Sequence, residues 1–131
     1  MKAQAALEYL MVAGLVIFIM VTVFAYTSTY STDSIASINA QDAVNSIAKT
    51  ADSAYALGRG SSLKVSVTLP QGVTNSSVNG NIISVTIRTS SGVSKIFAKT
   101  IATVNGTIPA LKGAFIISAN MTDPNVTLRQ V

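Results

Sequence analysis

The sequence contains no cysteine and no histidine, and only five of its 131 residues are acidic. Without cysteine, disulfides and thiolate metal sites are excluded, although the redox compartment cannot be inferred from an absence. Without histidine, the chain lacks the commonest general base and metal ligand. Gly58–Ser61 has the glycines of a phosphate loop but neither its lysine nor its spacing. We therefore expect neither an enzyme nor a cofactor- or metal-binding protein.

The positions of the acidic residues support the same expectation. After Glu8 the acids are Asp33, Asp42, Asp52 and Asp123, and the first three are spaced nine and ten residues apart along a predicted helix. Side chains this far apart do not converge as an acid–base pair or a cation site. The spacing instead predicts a solvated helix face or a contact between subunits.

Charge is sparse overall, at 11% of residues, whereas 49% are hydrophobic. Such a composition is unusual for a soluble monomer and indicates a membrane or a large assembly as the environment. The nine basic residues, which give a net charge of +4, are spread from Lys2 to Arg129 without clustering or interleaved aromatic residues. This pattern predicts no nucleic-acid partner. The length allows one modest domain and an anchor.

The longest apolar run extends from Leu7 to Tyr26, and Glu8 is its only charged residue. Twenty residues of helix span roughly the 30 Å of a bilayer's hydrocarbon core. Because Lys2 precedes the run and no basic cluster follows it, the N-terminus is expected on the cytoplasmic side. The alternative is a cleaved secretory signal, although no small-x-small site follows Tyr26.

Helical periodicity continues after this run, so residues 27–57 are predicted to form an amphipathic extension of one helix over residues 4–57. The hydroxyl-rich Thr27–Ser34 could kink it or leave it straight, and Leu57–Gly60 supplies the stop signal. At 1.5 Å per residue this helix would be about 80 Å long. Its three- and four-residue spacing of apolar side chains predicts a covered face, which comprises Ile35, Ile38, Val44, Ile47, Ala48, Ala51, Ala54 and Tyr55.

From residue 61 onward the period changes to two, which predicts a head domain over residues 61–131 with five or six short antiparallel strands. These are Leu63–Leu69, Ile83–Arg88, Val93–Thr103, Gly113–Ala119 and Asn125–Gln130. Turns are expected at Pro70–Gly72, Asn79–Gly80, Ser91–Gly92, Asn105–Gly106 and Asp123–Pro124. The fold class is therefore α+β, a long N-terminal helix followed by a small antiparallel β-domain, with the strands packed on Ile35–Tyr55.

The most specific motif is at the start, where Lys-Ala-Gln-Ala-Ala-Leu-Glu-Tyr-Leu at residues 2–10 leads into the apolar run. It resembles the class III signal sequence of archaeal type IV-like pilins, a resemblance confined to about the first 26 residues. The resemblance implies that residues 1–3 are a leader, which a prepilin peptidase removes by cutting between Ala3 and Gln4. Ala3 departs from the pattern, because glycine is more usual there.

The same resemblance implies how the chain assembles. Glu8 becomes the fifth residue of the mature chain and pairs with the new amine of Gln4 on an adjacent subunit, so that residues 4–26 move from the membrane into a filament core. A pilus assembly ATPase and a membrane platform protein are the implied partners of this homo-oligomer. The family layout is a lollipop of helix and head. The competing explanation for Glu8 is a favourable interaction with the helix macrodipole.

The expected function is that of a structural subunit of an extracellular, adhesive pilus, membrane-inserted as a precursor. Two alternatives remain, namely an archaellin-like motility filament subunit and a single-pass membrane anchor that displays a binding domain. Gly14 either allows close helix packing or is an ordinary membrane-helix glycine. Four Asn-x-Ser/Thr sequons are possible N-glycosylation sites, at Asn75, Asn105, Asn120 and Asn125.

Overall fold

The computed structural model describes residues 1–131 and consists of one helix followed by seven strands. Two compact units are distinguished, Met1–Asp33 and Ser34–Val131, and each is described by itself. The elements are α1 (Lys2–Leu57), β1 (Ser62–Leu69), β2 (Val73–Asn79), β3 (Ile82–Thr89), β4 (Gly92–Lys99), β5 (Val104–Gly106), β6 (Gly113–Thr122) and β7 (Asn125–Gln130). The predicted fold class, α+β with a long N-terminal helix, is confirmed.

Helix α1 remains helical through the hydroxyl-rich stretch. The hydroxyls of Thr27, Thr29 and Thr32 each donate to the carbonyl oxygen four residues earlier, at 2.9 to 3.1 Å. They therefore add hydrogen bonds to carbonyls of the same helix. The helix ends at Leu57, as predicted, because Gly58 adopts a φ of 87° and its N–H donates to the carbonyl of Tyr55 at 3.1 Å.

The strands form two sheets, with the orders β1-β6-β7-β5 and β2-β3-β4. Neighbours are antiparallel except for β5 and β7, which are parallel, so the four-stranded sheet is mixed. The sequence predicted only antiparallel pairing and was wrong at this pair. It was also wrong in placing a turn at Asn105–Gly106, since these residues belong to β5.

Two strands were missed, and their compositions explain why. Strand β2 has the sequence Val-Thr-Asn-Ser-Ser-Val-Asn, which is too polar for a clear alternation. Strand β5 has only three residues. The predicted strand Val93–Thr103 ends earlier, at Lys99; the N–H of Thr100 still donates to the carbonyl of Asn81 at 2.8 Å, and the chain bends at Ile101 and Ala102.

A single core lies between the second half of α1 and the two sheets. Residues from all three contribute, and the largest fully buried side chains include Ile47 from the helix, Ile117 from the four-stranded sheet and Ile83 from the three-stranded sheet. The helix contributes a stripe of small and branched residues at three- and four-residue spacing, which comprises Ala40, Ala43, Val44, Ile47, Ala48, Ala51 and Ala54.

Three members of the predicted covered face are not in this core. Ile35 and Ile38 are 55% and 60% exposed, because both precede Ala40, the first helix residue that is buried. Tyr55 is 44% exposed near the helix end. The expectation that the strands pack on the whole of Ile35–Tyr55 was therefore too broad, and packing starts one turn later.

The parallel β5–β7 pair requires glycine at one position. Gly106 has a φ of 129°, and a Cβ there would lie 2.0 Å from the carbonyl oxygen of Leu128 on β7. No L side chain adopts this backbone conformation readily, and none fits the space. Gly106 therefore allows β5 to approach the sheet edge closely.

Candidate functional site

The first candidate site is the apolar surface of the N-terminal unit. Every residue from Met1 to Thr32 is exposed, including large side chains such as Phe18 and Phe24 at 71% and 76%. The helix is long and apolar enough to cross a membrane, judged by length and composition. A surface this apolar is not stable in water, so it requires lipid or other helices around it.

Glu8 is the only charged side chain between Leu7 and Tyr26, the longest apolar run of this surface. Helix α1 begins at Lys2, so Ala3 and Gln4 lie in its first turn, where the N–H of Ala5 donates to the carbonyl of Met1 at 3.3 Å. Glu8 follows Gln4 by four residues, which places both on the same helix face with about 6 Å of axial rise between them.

The helix start also bears on the macrodipole explanation for Glu8. The first turn contains no acidic residue, since Glu8 is the seventh residue of α1. The macrodipole acts mainly within the first turn of a helix. In the full-length chain its stabilising effect on Glu8 is therefore small. If the chain were cut before Gln4, the carboxylate would lie closer to the new helix end.

Gly14 lies on the open surface of the same segment. A Cβ built on it meets no atom within 4 Å, so nothing within the chain requires glycine there. The structure brings no second element to this position. Whether Gly14 serves close packing with another helix stays a prediction.

Asp52 has a role that the sequence did not indicate. Its Oδ1 accepts hydrogen bonds from the backbone N–H groups of Ile101 and Ala102, at 2.8 and 3.4 Å. These donors follow β4 and would otherwise lack a strand partner. The predicted solvated or intersubunit face therefore does not describe Asp52, whose carboxylate fastens a loop of the head to the helix. Asp42 is exposed, and Asp33 is half-buried.

Asp123 is the acid of an exposed ion pair. Arg59 donates from Nη2 to its carboxylate, which joins the segment after the helix to the β6–β7 turn. The hydrogen bond to Asp123, and secondly the charge of Asp123, raise the pKa of Arg59 above its ordinary value. The sequence did not predict this pair, because the two residues are distant from each other along the chain. No group of three or more acidic side chains lies together as a cation site.

The four sequons lie in the head and differ in surroundings. Asn75 and Asn105 are exposed, whereas Asn120 and Asn125 are half-buried. The Oδ1 atom of Asn120 accepts hydrogen bonds from Ser62 and Ser118, at 2.5 and 3.0 Å. An N-glycan needs a free amide and open space, so Asn75 and Asn105 suit the modification best. Glycosylation itself stays a prediction, which intact-mass measurement tests.

Comparison of the chain with known proteins gives no further assignment: neither a family model, nor a curated protein, nor a solved structure matches it. The functional argument therefore depends on the residues and on the fold described above.

Proposed function

We propose that the chain is a structural subunit of an extracellular filament, which polymerises through its N-terminal helix. The observation that carries this proposal is the full exposure of residues 1–32, an apolar surface on a protein whose head already has its own core. A surface of this kind requires partners. Helices of neighbouring subunits would cover it by a contact that does not close on itself, which generates an open helical polymer.

Within this class, the chain is proposed to be an archaeal type IV-like pilin with an adhesive role. The motif at residues 2–10 supports this assignment, because cleavage between Ala3 and Gln4 would create an amine next to the apolar segment. The precursor would be inserted in the cell membrane, and the mature subunit would be in the extracellular pilus. Prepilin peptidase, an assembly ATPase and a platform protein are the proposed partners.

Glu8 is proposed to dock subunits in register. A carboxylate submerged near the middle of a bilayer costs on the order of 2.5–3.5 kcal/mol on insertion scales, and less near the interface. Pairing with the amine of Gln4 on an adjacent subunit would remove this cost when the helix moves into the filament. Because Gln4 and Glu8 share a helix face, one longitudinal shift between neighbouring helices would satisfy every subunit.

A second candidate is a single-pass anchor that displays the head as a binding domain. The observation that favours it is the helix itself, which meets the length and composition of a membrane span without any neighbour. Both candidates share membrane insertion. They differ in whether the N-terminus is processed and whether the subunits leave the membrane.

The experiment expresses the full chain in cells that assemble such filaments, and compares wild type with Glu8→Ala and Glu8→Asp. Wild type is expected to give a sheared extracellular fraction whose N-terminus is Gln4. Glu8→Ala should insert into the membrane and fail to assemble, whereas Glu8→Asp retains the charge and should assemble in part. Normal filaments from Glu8→Ala would contradict the docking role. An intact Met1 found only in membranes would favour the anchor.

A further inference from the structure

Charge is segregated between the helix and the head. No acidic residue occurs between Asp52 and Asp123, and residues 58–131 contain seven basic residues against one acid. Helix α1 contains four acids and two lysines. The head is therefore strongly basic, although the net charge of the whole chain is small. Such a field attracts polyanions and raises their rate of encounter with the surface.

Part of this charge is aligned on the outer face of the three-stranded sheet. Along β4, Ile96 and Ala98 are buried in the core, whereas Lys95, Phe97 and Lys99 are exposed on the other face. At about 3.3 Å per residue the two lysines are roughly 13 Å apart, with Phe97, 64% exposed, between them. The expectation that no aromatic residue is interleaved with the basic residues is wrong at β4, because the two-residue period of the strand places Lys95, Phe97 and Lys99 on one face.

The strand register extends the face across the sheet. Lys95 is opposite Thr86, which is opposite Asn75 on β2. Phe97 is opposite Ser84, whose hydroxyl lies 2.8 Å from that of Ser77. Of these polar side chains, Asn75 and Ser77 on β2 are exposed beside the cations, whereas Thr86 is half-buried and Ser84 is buried.

Arg88 on β3 is a third exposed cation, diagonal to Lys95. The acid of the head, Asp123, is paired with Arg59, which lies outside this face.

We propose that this face, formed by Arg88, Lys95, Phe97 and Lys99, binds an acidic polysaccharide. The cations complement carboxylate or sulfate groups, and the exposed hydroxyl of Ser77 offers a hydrogen bond to a sugar hydroxyl. Phe97 provides an apolar ring for the C–H face of a sugar. The proposal rests on the adhesive role proposed above, and it names the class of surface to which the head attaches.

A single-stranded nucleic acid fits the face less well. Proteins that bind it stack successive bases on several aromatic side chains, along a groove that neutralises many phosphates. This face has one aromatic residue and three cations. Polysaccharide is therefore the occupant that the chemistry favours.

The other sheet supplies a matched control. On the outer face of the four-stranded sheet, Lys64 and Arg129 flank Ser118 in one row. Both are exposed, and no aromatic side chain lies between them. Replacing this pair removes the same charge as replacing the two lysines of β4. The comparison separates a defined binding face from attraction by net charge alone.

The test measures binding of detergent-solubilised full-length chain to immobilised heparin and to polygalacturonate, with dextran as the neutral probe and single-stranded DNA as the competing polyanion. Lys95→Gln with Lys99→Gln is expected to weaken binding about 10- to 30-fold, since each cation near an anionic surface contributes about a factor of five. Lys64→Gln with Arg129→Gln should weaken it less than about threefold. Phe97→Ala should weaken it by about threefold or more at every salt concentration.

Equal losses for the two double variants would overturn the proposal, because binding would then follow net charge. Tighter binding of DNA than of either polysaccharide would replace the proposed occupant by a nucleic acid. Hydrogen exchange in β3 and β4 should match wild type and so confirm folding. Filament formation is scored separately by electron microscopy. Since solubilised subunits need no filament to bind, failure of assembly and failure of polysaccharide binding are distinguishable.

Discussion

Ile17 and Ile47 belong to the same helix, yet one is 61% exposed and the other is fully buried. In the N-terminal unit the apolar side chains surround the helix on all sides, whereas in the second unit they form one stripe. A helix that is apolar all round requires an apolar environment, and a helix with one stripe needs only one packed face. The difference indicates that the head completes its own core and that the N-terminal segment requires lipid or other helices around it.

Truncation of each isoleucine tests this difference between the two units most directly. Ile47→Ala removes a fully buried side chain from the core and should lower the free energy of unfolding of the head by about 2–5 kcal/mol. Ile17→Ala should leave it unchanged within about 0.5 kcal/mol. Denaturant unfolding of the full chain in detergent, monitored by hydrogen exchange of β6 and β7, measures the change in free energy for both variants.

The same pair should behave differently in assembly. In the proposed filament, Ile17→Ala is expected to reduce the yield although its head is stable, because the lost contacts would be those between subunits. If Ile17→Ala destabilised the head as much as Ile47→Ala, the separation of the chain into a self-sufficient head and a dependent segment would be wrong.

Substitution of one glycine in each unit tests the same difference in the backbone. Gly106→Ala forces a Cβ against the carbonyl of Leu128 at a φ of 129°, so it should destabilise the head by about 2 kcal/mol or more. Gly14→Ala lies in helix with open space around it and should not affect the head. Unfolding curves check both variants. If Gly106→Ala were as stable as wild type, the close approach of β5 to β7 would be contradicted.

Gly14→Ala also tests the N-terminal unit. The substitution favours helix formation by about 1 kcal/mol, so reduced assembly could not be attributed to a weakened helix. A lower filament yield would indicate that another helix packs closely at Gly14. An unchanged yield would identify it as an ordinary membrane-helix glycine.

A smaller effect is expected from the acids of the helix. Asp52→Ala removes the acceptor of two backbone N–H groups and should cost about 1–2 kcal/mol of head stability. Asp42→Ala, at an exposed position four residues before Ser46, should cost less than about 0.5 kcal/mol. Hydrogen exchange at Ile101 and Ala102 should rise only in the first variant. Equal exchange in both would contradict the fastening role of Asp52.

The sequence predicted the features that depend on local pattern. The apolar run, the helix end at Leu57 and the strand at β1 follow from periods of 3.6 and two and from glycine chemistry. The parallel pairing of β5 could not be predicted, because it depends on a contact between Gly106 and Leu128, which are distant in sequence. The motif around Glu8 was visible in the sequence, but the role of Asp52 depends on the position of the loop after β4.

The smallest effect is expected at the exposed ion pair of Arg59 and Asp123, which joins the segment after the helix to the β6–β7 turn. Both side chains are exposed, at 77% and 45%, so solvent and salt screen their attraction. Arg59→Ala should therefore leave the midpoint of thermal unfolding unchanged at both low and high salt, with Arg129→Ala as the matched control. A clear decrease for Arg59→Ala alone, largest at low salt, would show that this pair fixes the β6–β7 turn. The stability of the second unit would then depend on electrostatics as well as on packing.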